Sequence, residues 1–167
     1  MSEQKTGELY SPQEIEEIVE LALKFEEELR EKYDPDRKIP SRETLLQRYR
    51  ERIEDPSYKM AIAYEEGQIM GYMFGWVNQT KASGLGLENI GWLQGIYVLP
   101  EARDKGKWIG IDLLGSFENF AKSKGVDKIG GQFYKGSRQH KLFILSGWRE
   151  VREVPGGKEV IMTKDLV

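Results

Sequence analysis

The sequence contains no cysteine and a single histidine, His140. The first absence removes disulfides, thiolate catalysis and cysteine-based zinc sites. The second removes zinc sites built on two or more imidazoles, such as HExxH, and no metal site is expected. No apolar run approaches the roughly 20 residues of a membrane span. The opening MSEQKTGELYS lacks the apolar stretch of a secretory signal. There is no basic surplus either: 25 Lys and Arg stand against 28 Asp and Glu, a net charge of −3. A surface for nucleic acid would normally carry excess positive charge. The expectation is a soluble cytoplasmic protein with neither nucleic acid nor membrane as partner.

What is present suits a globular chain. Its 167 residues are 39% hydrophobic and 32% charged, enough to bury a sizeable core. Nothing marks a linker or a repeat, so residues 1–167 are expected to form one domain.

Ser11-Pro12-Gln13-Glu14 carries the pattern of a helix start, with Ser11 as cap and Glu14 completing a capping box. Ile15, Ile18, Val19, Ala22, Phe25 and Leu29 then share one helical face. Glu16, Glu17, Glu20, Glu27 and Glu31 share the other, a solvated face that could also attract a cation. A second helix is expected from Ser41 through Leu45, Leu46, Tyr49 and Ile53 to Asp55-Pro56. Strands follow over residues 58–64 and 69–77, joined at Glu65-Glu66-Gly67. Residues 78–88 read as a loop, and 90–98 as a third strand closed by Leu99-Pro100. A Gly- and Lys-rich turn over 103–110 leads into a helix through Leu113, Leu114, Phe117, Phe120 and Ala121. Beyond it lie a strand over 126–134, a short helix over 137–146 and a terminal hairpin. This order makes an α/β (α+β) protein with a mostly antiparallel central sheet and one strand–loop–helix–strand crossover.

The segment from Tyr97 to Leu114 holds the clearest chemistry. A strand delivers the chain into a turn of glycines and cations that opens an amphipathic helix. Free amides and the helix dipole favour an anion there, with Arg103, Lys105 and Lys107 adding positive charge. The turn is no Walker A loop, because Gly106-Lys107 precedes Trp108 rather than Ser or Thr. With only Gly106 and Gly110 it is no Rossmann fingerprint either. The plainer alternative is a glycine turn with solvated lysines; another is a different nucleotide-binding α/β protein.

The same segment resembles the acetyl-CoA loop of the GNAT superfamily of N-acetyltransferases. Val98-x-Pro100 and Arg103-x-x-Gly106 match that family's V-x-P and R/Q-x-x-G, and residues 109–114 resemble its continuation into a helix with a Leu-Leu pair. Lys107-Trp108 reads as a two-residue insertion. Downstream, residues 136–148 are similar to the family's N-x-x-A-x-x-L-Y helix ending in G-F. Gly136 stands for its Asn, Gln139 for its Ala and Phe143 for its Tyr.

The resemblance implies a GNAT-like fold with a strand–loop–helix–strand acetyl-CoA crossover, and acetyl-CoA as co-substrate. The acceptor would be a primary amine of a small molecule or protein, and a homodimer is compatible with the fold by analogy. The implied cofactor-binding set is Ile96, Tyr97 and Val98 on the strand edge, then Arg103, Asp104, Lys105, Gly106, Lys107, Trp108, Ile109 and Gly110 around the pyrophosphate, with Phe143 on the short helix. A backbone N–H of Tyr97 or Val98 would polarise the thioester carbonyl. Tyr134 is the implied proton donor to the leaving thiolate and Glu88 the implied base. The alternative is a GNAT-like protein of weakened catalysis that binds CoA, another ligand or a partner. His140 and Trp76, Trp92, Trp148 and Tyr72 are expected to serve structure; Trp108 is open to ligand contact or a surface role.

Overall fold

The computed structural model describes residues 3–6, 10–78, 89–103 and 108–166. The strands among the described residues are β1 (Glu3–Thr6), β2 (Tyr58–Glu65), β3 (Gln68–Asn78), β4 (Ile90–Val98), β5 (Lys128–Tyr134), β6 (Arg149–Glu153) and β7 (Glu159–Asp165). They form one sheet in the order β1-β2-β3-β4-β5-β7-β6. Every neighbouring pair is antiparallel except β4 and β5. The helices are α1 (Pro12–Lys32), α2 (Arg42–Ile53), the single turn α3 (Pro100–Arg103), α4 (Ile109–Ser123) and α5 (Arg138–Leu145). No helix among the described residues is long and apolar enough to cross a membrane.

The helix starts follow from local chemistry. Ser11 accepts from the Glu14 amide while the Glu14 carboxylate accepts from the Ser11 amide. Ser41 and Ser137 cap α2 and α5 in the same way, accepting from Thr44 and His140.

Two apolar layers sandwich the sheet, and strand alternation assigns residues to them. In β2, Met60 and Ile62 face α1 and α2, whereas Ala61 and Ala63 face α4. In β4, Tyr97 belongs to the first layer and Ile96 to the second. Small residues let α4 lie close to the strands. A Cβ on Gly75 would sit 2.5 Å from Phe117 Cε2 and 2.8 Å from the Trp92 carbonyl oxygen, so the Phe117 ring takes that space.

The structure differs from the sequence reading at several points, among them the helical turn α3, which that reading does not contain. A short edge strand, β1, precedes α1 and pairs with β2 from Glu3↔Tyr64 to Thr6↔Ala61. Strand β5 begins at Lys128, two residues after Val126, which is buried by packing but lies outside the ladder. Asn78 is the last residue of β3; the rest of the expected loop, residues 79–88, lies outside the described residues.

Candidate active site

Strands β4 and β5 pair in parallel only from Ile90↔Lys128 to Leu93↔Gly131. At that point β4 carries an extra residue, Gln94, because Phe74 opposes Gly95 while Gly75 opposes Leu93. Beyond it the two strands separate. The Leu99 amide donates to the Met70 carbonyl at 2.8 Å, so Leu99 faces β3. Backbone groups alternate along a strand, so Tyr97 also faces β3, whereas Ile96 and Val98 face the opening. Two side chains reach carbonyls on that edge: Gln139 Nε2 donates to Ile96 O at 3.4 Å, and Arg103 Nε to Val98 O at 2.7 Å.

The opening continues into the start of α4. Trp108 is the N-cap residue of that 15-residue helix and supplies no side-chain cap. The first-turn amides therefore have no side-chain partner from the cap, and the positive end of the dipole points into the cleft. Gly110 lies on this first turn, and a Cβ there would sit 3.1 Å from Leu142 Cδ2 and 4.0 Å from Val98 Cγ2. Its bare backbone is thus the floor between β4 and α5. A cavity of about 150 Å³ occupies the cleft. A strand edge facing an opening, a glycine floor and an uncapped helix start suit an extended ligand ending in a phosphate.

Five of the expected cofactor residues line this cavity: Ile96, Val98, Arg103, Trp108 and Gly110. Trp108 is 71% exposed, a rim residue rather than a core one. Sequence reasoning missed Ile111, Arg138 and Leu142, which line the cavity too, and it assigned no contact to Gln139. The available signal was spacing, since 138, 139 and 142 share a helical face behind a strong N-cap.

Other expected residues lie elsewhere. The Tyr97 ring is buried against Phe25, centroid to centroid 5.2 Å, with the Arg103 guanidinium 5.1 Å from its centre. Ile109 is wholly buried in the α4 layer. So is Phe143, whose ring lies 4.3 Å from that of Phe133 and 4.6 Å from that of Trp148. Asp104, Lys105, Gly106, Lys107 and Glu88 lie outside the described residues.

Arg103 is no mobile cation. It binds both Glu28 carboxylate oxygens at 2.9 Å while also holding Val98. Hydrogen bonding to Arg103 foremost, with Lys32 beside it, outweighs burial and holds the Glu28 carboxyl down at about 2.

Tyr134 ends β5. It lies three residues past Gly131, where the pairing with β4 stops, and is not among the residues lining the cleft cavity. Its hydroxyl accepts from Arg37 at 2.9 Å and donates to Asp34 at 3.4 Å, and its ring stacks on Tyr33. Arg37 in turn grips Glu26 at 2.6 and 3.2 Å. Burial raises the Tyr134 hydroxyl above the usual tyrosine value, and Arg37 opposes that rise. His140 ties α5 to β6: its Nδ1 accepts from the Gly136 amide, so Nε2 carries the proton donated to Glu150 at 2.6 Å.

No curated protein matches the chain. Solved structures do. An acetyltransferase of the GNAT family from Staphylococcus aureus Mu50 matches with a TM-score of 0.72 at 16% identity, over 99% of this chain and 100% of that one. The yncA protein of Salmonella typhimurium, solved with its cofactor acetyl-CoA, matches at 0.71 and 16%, over 99% and 95%. The PaiA N-acetyltransferase of Thermoplasma acidophilum, in complex with coenzyme A, matches at 0.65 and 17%, over 98% and 99%. These likenesses establish the fold. The model of the acetyltransferase (GNAT) family matches residues 18–134, well over half of the sequence. The chain belongs to the GNAT acetyltransferase family and is an acetyltransferase.

Proposed function

We propose that residues 1–167 form a single-domain, cytoplasmic N-acetyltransferase that transfers the acetyl group of acetyl-CoA to a primary amine of a small molecule or protein. The observation that carries this reading is the continuous track from the β4 edge at Ile96 and Val98 to the uncapped start of α4 at Gly110. Relatives of the same fold solved with coenzyme A and acetyl-CoA support it.

Bound acetyl-CoA would supply an activated acyl group on a thiol that leaves readily. The Ile96 and Val98 backbone would hold the pantetheine arm as an added strand. Of the two amides expected to polarise the thioester carbonyl, Val98 faces the opening and Tyr97 faces β3, so Val98 takes that role. The amides from Trp108 to Gly110 would face the pyrophosphate, with Trp108 on the rim. Arg103 would act by position, fixing the Val98 carbonyl and the loop start rather than neutralising phosphate. Among the described residues, Arg138, which has no ion pair, is the second cation on the cavity wall.

The acceptor ammonium first loses one proton to solvent. The nitrogen lone pair then forms the bond to the acetyl carbon, and the C–S bond breaks with its electrons going to sulfur. The second amine proton departs and sulfur gains one, for which Tyr134 is the proposed donor. Positioning carries much of the rate, because a thioester is already activated.

The test is free-thiol release from acetyl-CoA across an amine panel, alongside calorimetric titration with CoA. Binding with amine-dependent thiol release is expected. Binding without turnover for any amine would favour the non-catalytic alternative, and absence of binding would overturn the reading.

A further inference from the structure

On the other face of the sheet from α4, a second, smaller cavity of about 60 Å³ lies between α1 and α2. Its floor is the β4 bulge, at Gln94 and Gly95, where β4 and β5 part. It is therefore next to the reacting end of the proposed acetyl-CoA track but separate from the cavity lined by α4 and α5. Bulges beside sites re-aim the backbone, and Gly95 leaves that backbone uncovered: a Cβ there would come within 3.8 Å of the Tyr72 hydroxyl.

The charge around this cavity is not that of the acidic helix face. Glu16, Glu17, Glu20, Glu27 and Glu31 point to solvent, and Arg42 pairs with Glu16 and Glu20. Among the described residues the one carboxylate on the cavity wall is Glu26, and each of its oxygens accepts a hydrogen bond from Arg37. Two guanidinium groups share the wall. Arg52 donates to Gln94 Oε1 at 3.2 Å and lies over the Tyr58 and Phe74 rings. Arg48 is half-buried and has no hydrogen bond or ion pair among the described residues. Among the described residues, a half-buried guanidinium without a counter-ion lies beside a carboxylate already paired with Arg37, which makes this wall positive.

We propose that this cavity receives a small amine bearing a carboxylate, with Arg48 meeting the carboxylate and the amine turned toward Gly95. This rests on the acetyltransferase reading and names its acceptor class: an amino-carboxylate rather than a polyamine or a protein lysine. Arg48 is the specificity residue, and its planar fork matches a carboxylate in two hydrogen bonds. Arg52, fixed by Gln94 and two rings, stands as the second cation. Chemistry is unchanged from that given above: the N–C bond forms, the C–S bond breaks, and the carboxylate takes no part. The size of the cavity suits a small head group.

The test compares matched acceptors with acetyl-CoA: alanine, leucine and phenylalanine, their carboxamides, and the corresponding amines lacking the carboxyl group. The expected result is a kcat/KM at least tenfold higher for the best carboxylate than for its amide and amine. Arg48→Gln should collapse that ratio mainly through KM, and Arg48→Lys should restore part of it. Thermal melts of both variants should stay close to the parent, since no hydrogen bond or ion pair among the described residues is lost with Arg48 and both substitutions keep most of its stem. Equal or better turnover of amides and amines would overturn the proposal. So would a ratio that survives Arg48→Gln, or CoA binding with no acceptor in the panel acetylated. Failure to bind CoA at all would instead strike the acetyltransferase reading itself.

Discussion

Arg103 and Glu28, 75 residues apart in sequence, meet through two parallel hydrogen bonds of 2.9 Å. The pair ties α1 to the turn that follows β4, at the point where the cleft opens. Both side chains are mostly covered, 10% and 17% exposed. Glu28→Ala leaves the Arg103 charge poorly solvated and should cost about 2–3 kcal/mol, whereas Arg103→Ala leaves Glu28 still paired with Lys32 and should cost less. The double variant should cost less than their sum, read by urea unfolding.

The same pair sets an acid dependence. Folding lowers the Glu28 carboxyl from the ordinary 4.5 to about 2. Its contribution is therefore complete above pH 4.5 and is lost as pH falls toward 2. Glu28→Gln should flatten stability across that window while lowering it at pH 7. An unaltered acid limb in the variant would show that the pair contributes nothing.

Tyr134→Phe should lower kcat by about two orders of magnitude and leave the Kd for CoA unchanged. Because burial raises this hydroxyl, any alkaline loss of kcat due to Tyr134 should lie above the usual tyrosine value near 10. Stopped-flow thiol release across pH checks both. Full kcat in the variant would remove Tyr134 as the donor.

The approach of Phe117 to Gly75 makes a prediction about the scaffold. Gly75→Ala puts a methyl 2.5 Å from that ring and should cost about 1–3 kcal/mol. Phe117→Leu should relieve part of the cost in the double variant, because the ring edge is the obstacle; the Trp92 carbonyl would still limit recovery. Denaturation midpoints of the four proteins give the coupling.

Features written in local chemistry were legible in the sequence. Ser11, Ser41 and Ser137 marked three helix starts because a cap is a contact between near neighbours. Strand β4 was read at its true bounds, Ile90–Val98, since an apolar run ends there in Leu99-Pro100. Strand β1 was missed because EQKT carries no apolar pattern and is held by pairing at the sheet edge. Arg103 looked like a phosphate ligand because its neighbours are Gly and Lys, while its partner Glu28 belongs to a distant helix. Phe143 matched a family position in register, but ring packing with Phe133 and Trp148 turns it into the core. Arg138 and Arg48 acquire meaning only from the cavities they border, and cavities are not written in spacing.

The central claim is that the start of α4 and the open edge of β4 hold the cofactor. Calorimetric titration of CoA into the parent and Gly110→Glu tests it most directly, since the substitution places bulk and negative charge on the cleft floor. Gly110→Ala serves as control, because its Cβ meets only the movable end of Leu142 at 3.1 Å. The account predicts one CoA per chain for the parent, retained binding for Gly110→Ala, and none for a folded Gly110→Glu. Equal affinity in all three would contradict it.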